Sequence, residues 1–192
     1  MKYLSLDLET TGLGDNCQIL QLAAVLDDTE RPLYQCPTFN VLVWDEWYSG
    51  EPYALALNHQ IFETLAKSKP GNELIHRGHN VRILREDMVA ESLACWLRLH
   101  DSGIVTLAGK NVAGFDLRFL RRLSGWSSIL TQHRVIDPGN LFLLPTDLVP
   151  PSTDECLRRA GIEASTQHDA LSDAYDVCKL IRTWHRRMET LR

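Results

Sequence analysis

The stretch "SLDLETTGLG", Ser5 to Gly14, carries two carboxylates inside a run that otherwise reads as a buried strand. Residues i and i+2 of a strand face the same side, so Asp7 and Glu9 point together. Two like charges this close raise each other's pKa or require a cation. An exposed edge-strand face is the bland alternative; Leu4, Leu6 and Leu8 argue against it, because they mark the run as core. A third acid, Asp116 in "GKNVAGFDLRFL", follows a strand and a glycine-containing loop and begins a helix. Taken alone it reads equally as an N-cap or first-turn acid. The fourth, Asp173, stands five positions after His168 in "HDALSDAYDV". On one continuous helix that spacing separates the side chains by about 140°. The pair meets only if His168 lies on the loop ahead of the helix and Asp173 on its first turns. Asp169 and Asp176 read as neighbouring acids without a role.

Carboxylate oxygens suit Mg²⁺ or Mn²⁺ rather than zinc. Two such ions about 3.5–4 Å apart clamp the attacking and leaving oxygens of a phosphoryl displacement. A histidine beside them takes the proton from an attacking water, since its pKa lies near working pH. From the residues alone, this is a two-metal phosphodiesterase site.

The elements that must position these groups follow from periodicity and turn residues. "YLSLDLE" and "QILQLAAVLDD" read as a strand hairpin around Gly12, Gly14, Asp15 and Asn16. "FNVLVW", Phe39 to Trp44, is a third strand, and "PYALALNHQIFETLAKS" reads as one helix. The polar stretch from Pro70 to Arg85 reads as a loop or short insert around 70–85. "EDMVAESLACWLRLHDS" is an amphipathic helix with acids at its start. "GIVTLAG" is a short strand, Ile104 to Ala108, and "HRVIDPGNLF" a short strand with an exit. "STDECLRRAGI" is a helix capped by Ser152 or Thr153 and closed by Gly161. A long amphipathic helix ends the order. This is a mixed α/β domain with a central sheet, taken as one domain over 1–192.

Composition sets outer limits. A chain of 192 residues with 44% hydrophobic content suits one sizeable core. No apolar run is long enough to span a bilayer, and acids interrupt what would be a signal peptide's apolar region, so a cytoplasmic, membrane-free protein is expected. Five scattered cysteines without a CxxC pair read as reduced thiols. The net charge of −5 argues against a protein that coats long nucleic acid through a basic surface. It leaves a metal-dependent nucleic-acid enzyme open, because bound cations reverse the sign of a local acidic site.

"DLETTGL", "GKNVAGFDLRFL" and "HDALSDA" together resemble the three exonuclease motifs of the DEDDh, or DnaQ-like, 3′–5′ exonucleases, in the expected order from end to end. The resemblance implies a ribonuclease H-like fold and stepwise release of 5′-mononucleotides. It implies that Asp7, Glu9, Asp116 and Asp173 hold two Mg²⁺ or Mn²⁺ ions and that His168 is the general base. It also implies that backbone around Thr10 and Thr11 holds the terminal 3′-hydroxyl and that Leu13 wedges against the terminal bases. Leu13 reads equally as a turn hydrophobe packing on the hairpin. His59 falls where relatives often carry a histidine beside the substrate strand, although Gln60 replaces the usual following glycine; a helix-surface histidine is the competing reading.

Gln21 stands where many relatives have an acid, and the metal site is expected to tolerate it. The spacing from Asn111 to Asp116 and the "QHRVID" segment lean toward oligoribonuclease-type members, which form homodimers. Arg118, Arg121 and Arg122 are candidates for phosphate contact. Lys179, Arg182, His185, Arg186 and Arg187 read as a solvated basic face, and His76 and His79 as loop histidines. The aromatic residues Trp44, Trp47, Tyr48 and Tyr53 either stack on bases or pack a loop. The expected partner is single-stranded or short oligonucleotide, RNA or DNA. Two other functions stay in view: a polymerase-associated proofreading exonuclease, and a non-catalytic binding module on the same fold. The second would be marked by loss of an acid or the histidine, and none is lost.

Overall fold

The computed structural model describes residues 1–164 and 168–190. Strands β1 (Lys2–Thr10), β2 (Ile19–Asp28) and β3 (Thr38–Trp44) form an antiparallel meander. Helices α1 (Pro52–Leu57) and α2 (His59–Leu65) follow, then β4 (Glu73–His76) and β5 (His79–Arg85). The remainder comprises α3 (Glu86–Leu99), β6 (Leu107–Ala108), α4 (Asp116–Leu120), α5 (Pro138–Leu141), α6 (Thr153–Ala160) and α7 (Ala170–Glu189). The sheet order is β4-β5-β3-β2-β1-β6, with β5 parallel to β3 and β6 parallel to β1. It is a mixed six-stranded sheet flanked by helices, the α/β fold class expected.

The alternation of β1 explains where the site lies. Leu4, Leu6 and Leu8 face one side and pack with Val89, Leu93 and Leu97 of α3. Burying each such side chain contributes about 1.5–3 kcal/mol. Tyr3 and Ser5 face the other side. Tyr3 packs with Ala174, Val177 and Cys178 of α7, and Ser5 Oγ donates to the Ala174 carbonyl at 2.8 Å. Asp7 and Glu9 continue this second face, so the pleat aims both acids at the start of α7.

Helix α7 is fixed by buried polar contacts at both ends. Asp169 caps it by accepting from Ser172 N at 3.0 Å, and its other oxygen accepts from Gln21 Nε2 at 3.2 Å. An acid at position 21 would face Asp169 with like charge, and the amide instead gives a donor. Asp169 is therefore a structural cap, 1% exposed, and not a bland neighbour. Further along, Arg182 forks onto the fully buried Asp27, which also accepts from the Tyr3 hydroxyl. The Arg182 hydrogen bonds, with that of Tyr3, overcome the burial penalty and hold Asp27 below the ordinary carboxylate range. Arg187 donates to the Arg159 and Ala160 carbonyls. The basic face of the last helix is thus partly internal wiring.

Three other expectations are corrected. The single helix expected over "PYALALNHQIFETLAKS" is two, because Asn58 breaks it and turns its side chain inward to donate to the Thr10 carbonyl at 3.2 Å. Residues 70–85, expected as a loop or insert, contain the β4–β5 hairpin, which extends the sheet beyond β3. His76 and His79 are strand residues flanking its turn. His76 is buried against the Thr64 hydroxyl, and burial lowers its pKa. Strand β6 is shorter than Ile104–Ala108, with Val105 making only an isolated bridge to Thr131. Helix α6 has its expected Ser152 cap and Gly161 ending, and all five cysteines are unpaired, four of them buried.

Candidate active site

Three elements bring the four acids together. Asp7 and Glu9 leave the end of β1, Asp173 leaves the first turn of α7, and Asp116 opens α4. Carboxylate oxygens of Asp7, Glu9 and Asp173 lie within 4.8 Å of one another. Asp116 stands beside them, 2% exposed, with its Oδ1 lacking a hydrogen-bond partner among the described residues. Its loop is held from behind: Asp137 accepts from Asn111 N at 2.9 Å while capping α5 through Gly139 N at 2.7 Å. The "QHRVID" segment therefore positions the third acid.

The electrostatics of the cluster follow from this crowding. Burial pushes the Asp116 and Asp173 carboxyls up to about 7, and the charge of Glu9 adds to both. Burial likewise raises Glu9 to about 7, against a hydrogen bond from Asn58 and the charge of Arg77. Asp7, enclosed by the other acids yet open to the cavity, is raised well above the ordinary range, first by burial and then by Asp116, Asp173 and Glu9. An unpartnered buried oxygen and four carboxylates that resist ionisation together fit a divalent cation, and hard oxygen donors select Mg²⁺ or Mn²⁺.

The acids line one side of a cavity of about 340 Å³. Leu8, Thr10, Gly12, Leu13, Glu51, Tyr53, Ala54, Leu57, Asn58 and Phe115 line the rest, together with His168. His168 precedes the cap of α7, has φ of 60°, and is exposed. Among the described residues, the structure thus gathers Asp7, Glu9, Thr10, Leu13, His168 and Asp173 in one cavity, with Asp116 adjoining. A larger cavity of about 760 Å³, lined by Met1, Lys179 and Arg186, holds none of these acids; chemistry rather than size marks the site.

Other sequence candidates have different positions. Thr11 is fully buried, and its hydroxyl donates to the Ser49 carbonyl at 2.7 Å, so it braces the turn from inside. Its carbonyl lies so close to Gly50 that a Cβ there would meet it at 2.1 Å, and only glycine allows this approach. His59 is exposed and sits on the Ala56 carbonyl, outside the cavity lining. Arg118 donates to the Leu13 carbonyl and lies over Phe115 and Phe119 at 5.2 and 5.1 Å. Arg122 donates to the Asp15 and Cys17 carbonyls. Glu51 accepts from Leu13 N and Gly14 N at 2.9 and 3.2 Å. These groups clamp the Gly12–Gly14 turn and present Leu13, 65% exposed, to the cavity. Of the aromatic residues, Trp44 and Tyr48 pack against the α2 cluster, and Tyr53 faces the site. Sequence reasoning missed Asn58 and Glu51; an asparagine inside an apolar helical run was the available signal for the first.

Comparison with protein-family models finds no match, and neither does comparison with curated protein sequences. Solved structures do match. The nuclease domain of 3′hExo, a DEDDh family member bound to rAMP, aligns with a TM-score of 0.66 and 14% identity over 97% of this chain and 92% of that one. E. coli exonuclease I in complex with a dT13 oligonucleotide aligns with a TM-score of 0.60 and 16% identity, over 99% of this chain and 41% of that one. The Saccharomyces cerevisiae Pan2 pseudoubiquitin hydrolase–RNA exonuclease module, in complex with AAGGA RNA, aligns at 0.64 and 15% identity, over 98% and 29%. The chain spans about two fifths of exonuclease I. At these identities the likeness is one of fold: the mixed six-stranded sheet flanked by helices is a ribonuclease H-like fold.

Proposed function

We propose that this chain is a divalent-metal-dependent 3′–5′ exonuclease that releases 5′-mononucleotides from single-stranded or short nucleic acid. The observation that carries the reading is the convergence of Asp7, Glu9, Asp116 and Asp173 beside a cavity that Leu13, Tyr53, Leu57 and Phe115 also line. These four residues would hold two Mg²⁺ or Mn²⁺ ions. When bound, such ions neutralise charge on the phosphoryl oxygens and lower the pKa of an attacking water.

The chain's own groups do the rest. His168, which lines the cavity, takes the proton from the attacking water. Leu13 and Tyr53 accept the terminal base, Leu13 as a wedge and Tyr53 as a stacking face. The Thr10 backbone, fixed by Asn58, meets the terminal sugar. Arg118 contributes by holding the Leu13 carbonyl. A cavity of this size takes a small-molecule-sized group, and net charge −5 gives little electrostatic grip on a long strand. Both favour short single strands.

The test is a digestion panel of dinucleotides, longer single strands and duplexes, as RNA and DNA, with Mg²⁺ and with Mn²⁺. Efficient hydrolysis of short single strands, lost in Asp7→Asn, is the expected result. Hydrolysis that survives Asp7→Asn would refute the assignment.

A further inference from the structure

His76-Arg77-Gly78-His79 closes the β4–β5 hairpin with a two-residue turn. Both central residues have positive φ, 48° at Arg77 and 83° at Gly78. Such a turn prefers Asn, Asp or Gly at its first position, because a long side chain is strained in the left-handed region. Arginine brings the turn no advantage, and its side chain reaches elsewhere. Nη1 donates to the carbonyl of His168, and Nε donates to Gln60 Oε1 at 3.0 Å. From the other side of the turn, His79 places Nε2 3.7 Å from Oδ2 of Asp169.

The hairpin therefore grips two consecutive residues, the last two before α7. His168 also has positive φ, a conformation that local sequence does little to favour, and a donor on its carbonyl fixes the peptide plane that conformation needs. Asp169 is anchored by Gln21 and Ser172 on its far side. Arg77 is not among the described residues lining the cavity; its charge also reaches Glu9, but its hydrogen bond to the site is to His168.

We infer that the β4–β5 hairpin is a clamp on the segment carrying His168, with Arg77 as its positioning residue. The inference rests on the nuclease reading above for its catalytic consequence, and on geometry alone for the clamp.

Arg77→Asn tests it, because asparagine is a residue this turn prefers and the fold should hold. The protein is expected to melt cooperatively and to keep a Mg²⁺-induced rise in Tm no smaller than the parent's, since the charge lost from beside Glu9 is positive. With a single-stranded pentanucleotide, kcat should fall about tenfold or more with KM changed less than about twofold. In a His168→Ala background the same change should alter kcat by less than about twofold, since groups acting as a unit are non-additive. In ¹⁵N-histidine protein, the His168 imidazole resonance should shift or broaden in Arg77→Asn while that of His185 stays. Equal losses of kcat with and without His168 would make Arg77 an independent contact and overturn the clamp. An unmoved His168 resonance would overturn it whether or not the protein hydrolyses nucleic acid. A parent protein with no metal-dependent hydrolysis, but a His168 resonance that responds to Arg77→Asn, would support the clamp and refute the nuclease reading.

Discussion

Replacing Asp116 with Asn should make the metal-free protein more stable at pH about 8 and less responsive to Mg²⁺. The Asp116 carboxyl is pushed up to about 7, against an ordinary 3.8, chiefly by burial. Between those values the folded state keeps a proton that the unfolded chain has lost. The stability this group contributes is full below about 4 and is lost as pH rises through about 7. At about 1.4 kcal/mol per pH unit, the separation is worth on the order of 4 kcal/mol. Asp7, Glu9 and Asp173 titrate with it as one site, so the four contributions do not add. An asparagine amide leaves its own unmet hydrogen bonds, at about 1–3 kcal/mol, so the net gain is about 1–3 kcal/mol. At about 2–4 °C per kcal/mol for a chain of this size, the Tm should rise by about 2–12 °C. At pH about 5 the gain should shrink, because the parent carboxyl is then mostly protonated in the fold. The assay is thermal unfolding by circular dichroism in chelator and in Mg²⁺, at both pH values. A lower Tm for Asp116→Asn at pH about 8 in chelator, or equal Mg²⁺-induced shifts in both proteins, would refute the reasoning.

His168→Ala should keep the Mg²⁺-induced Tm shift while turnover falls by roughly 10²–10⁴, the range for a positioned proton acceptor; loss of the shift would make His168 a metal ligand. Tyr53, 78% exposed at the cavity, should tolerate Ala in thermal melts, with KM for a single strand raised about 5–150-fold if one base loses about 1–3 kcal/mol of stacking. Arg182→Ala leaves the buried Asp27 charge unpaired and should lower stability by about 3–5 kcal/mol, with the Mg²⁺-induced shift retained; unchanged melting would show that Asp27 is neutral in the fold. For single strands of graded length at fixed salt, kcat/KM should be as high at about two to five nucleotides as at greater lengths, because added phosphates find few cations. A steep rise with length would reveal a binding track along Arg118, Arg121 and Arg122 or the last helix.

The sequence made the acids legible because strand alternation needs only two positions to aim Asp7 and Glu9 together. The need for His168 to precede a helix that Asp173 enters was also legible, from helical geometry alone. What stayed hidden was determined by partners far along the chain. In residues 70–85, β4 is the open edge of the sheet and leaves most of its residues exposed, so the hairpin's pattern resembles a loop. Arg182 looks like any surface arginine until Asp27, 155 positions earlier, is seen to face it. Arg118 reads as a phosphate ligand by charge and place, and only the fold shows its guanidinium occupied by the Leu13 turn. Asn58 looks like an interruption in one helix, and its reason is the Thr10 carbonyl on a strand 48 positions away.

The central claim is stepwise, metal-dependent hydrolysis from the 3′ end by the Asp7, Glu9, Asp116 and Asp173 cluster. The most direct measurement follows a 5′-labelled single strand over time, in Mg²⁺ and in chelator, with the parent protein and with Asp173→Asn. The account predicts a ladder of labelled strands shortened one nucleotide at a time, 5′-mononucleotides as the released product, and no cleavage in chelator or by Asp173→Asn. Early release of the 5′ label as a short fragment, products bearing 3′-phosphates, or full activity in Asp173→Asn would contradict it.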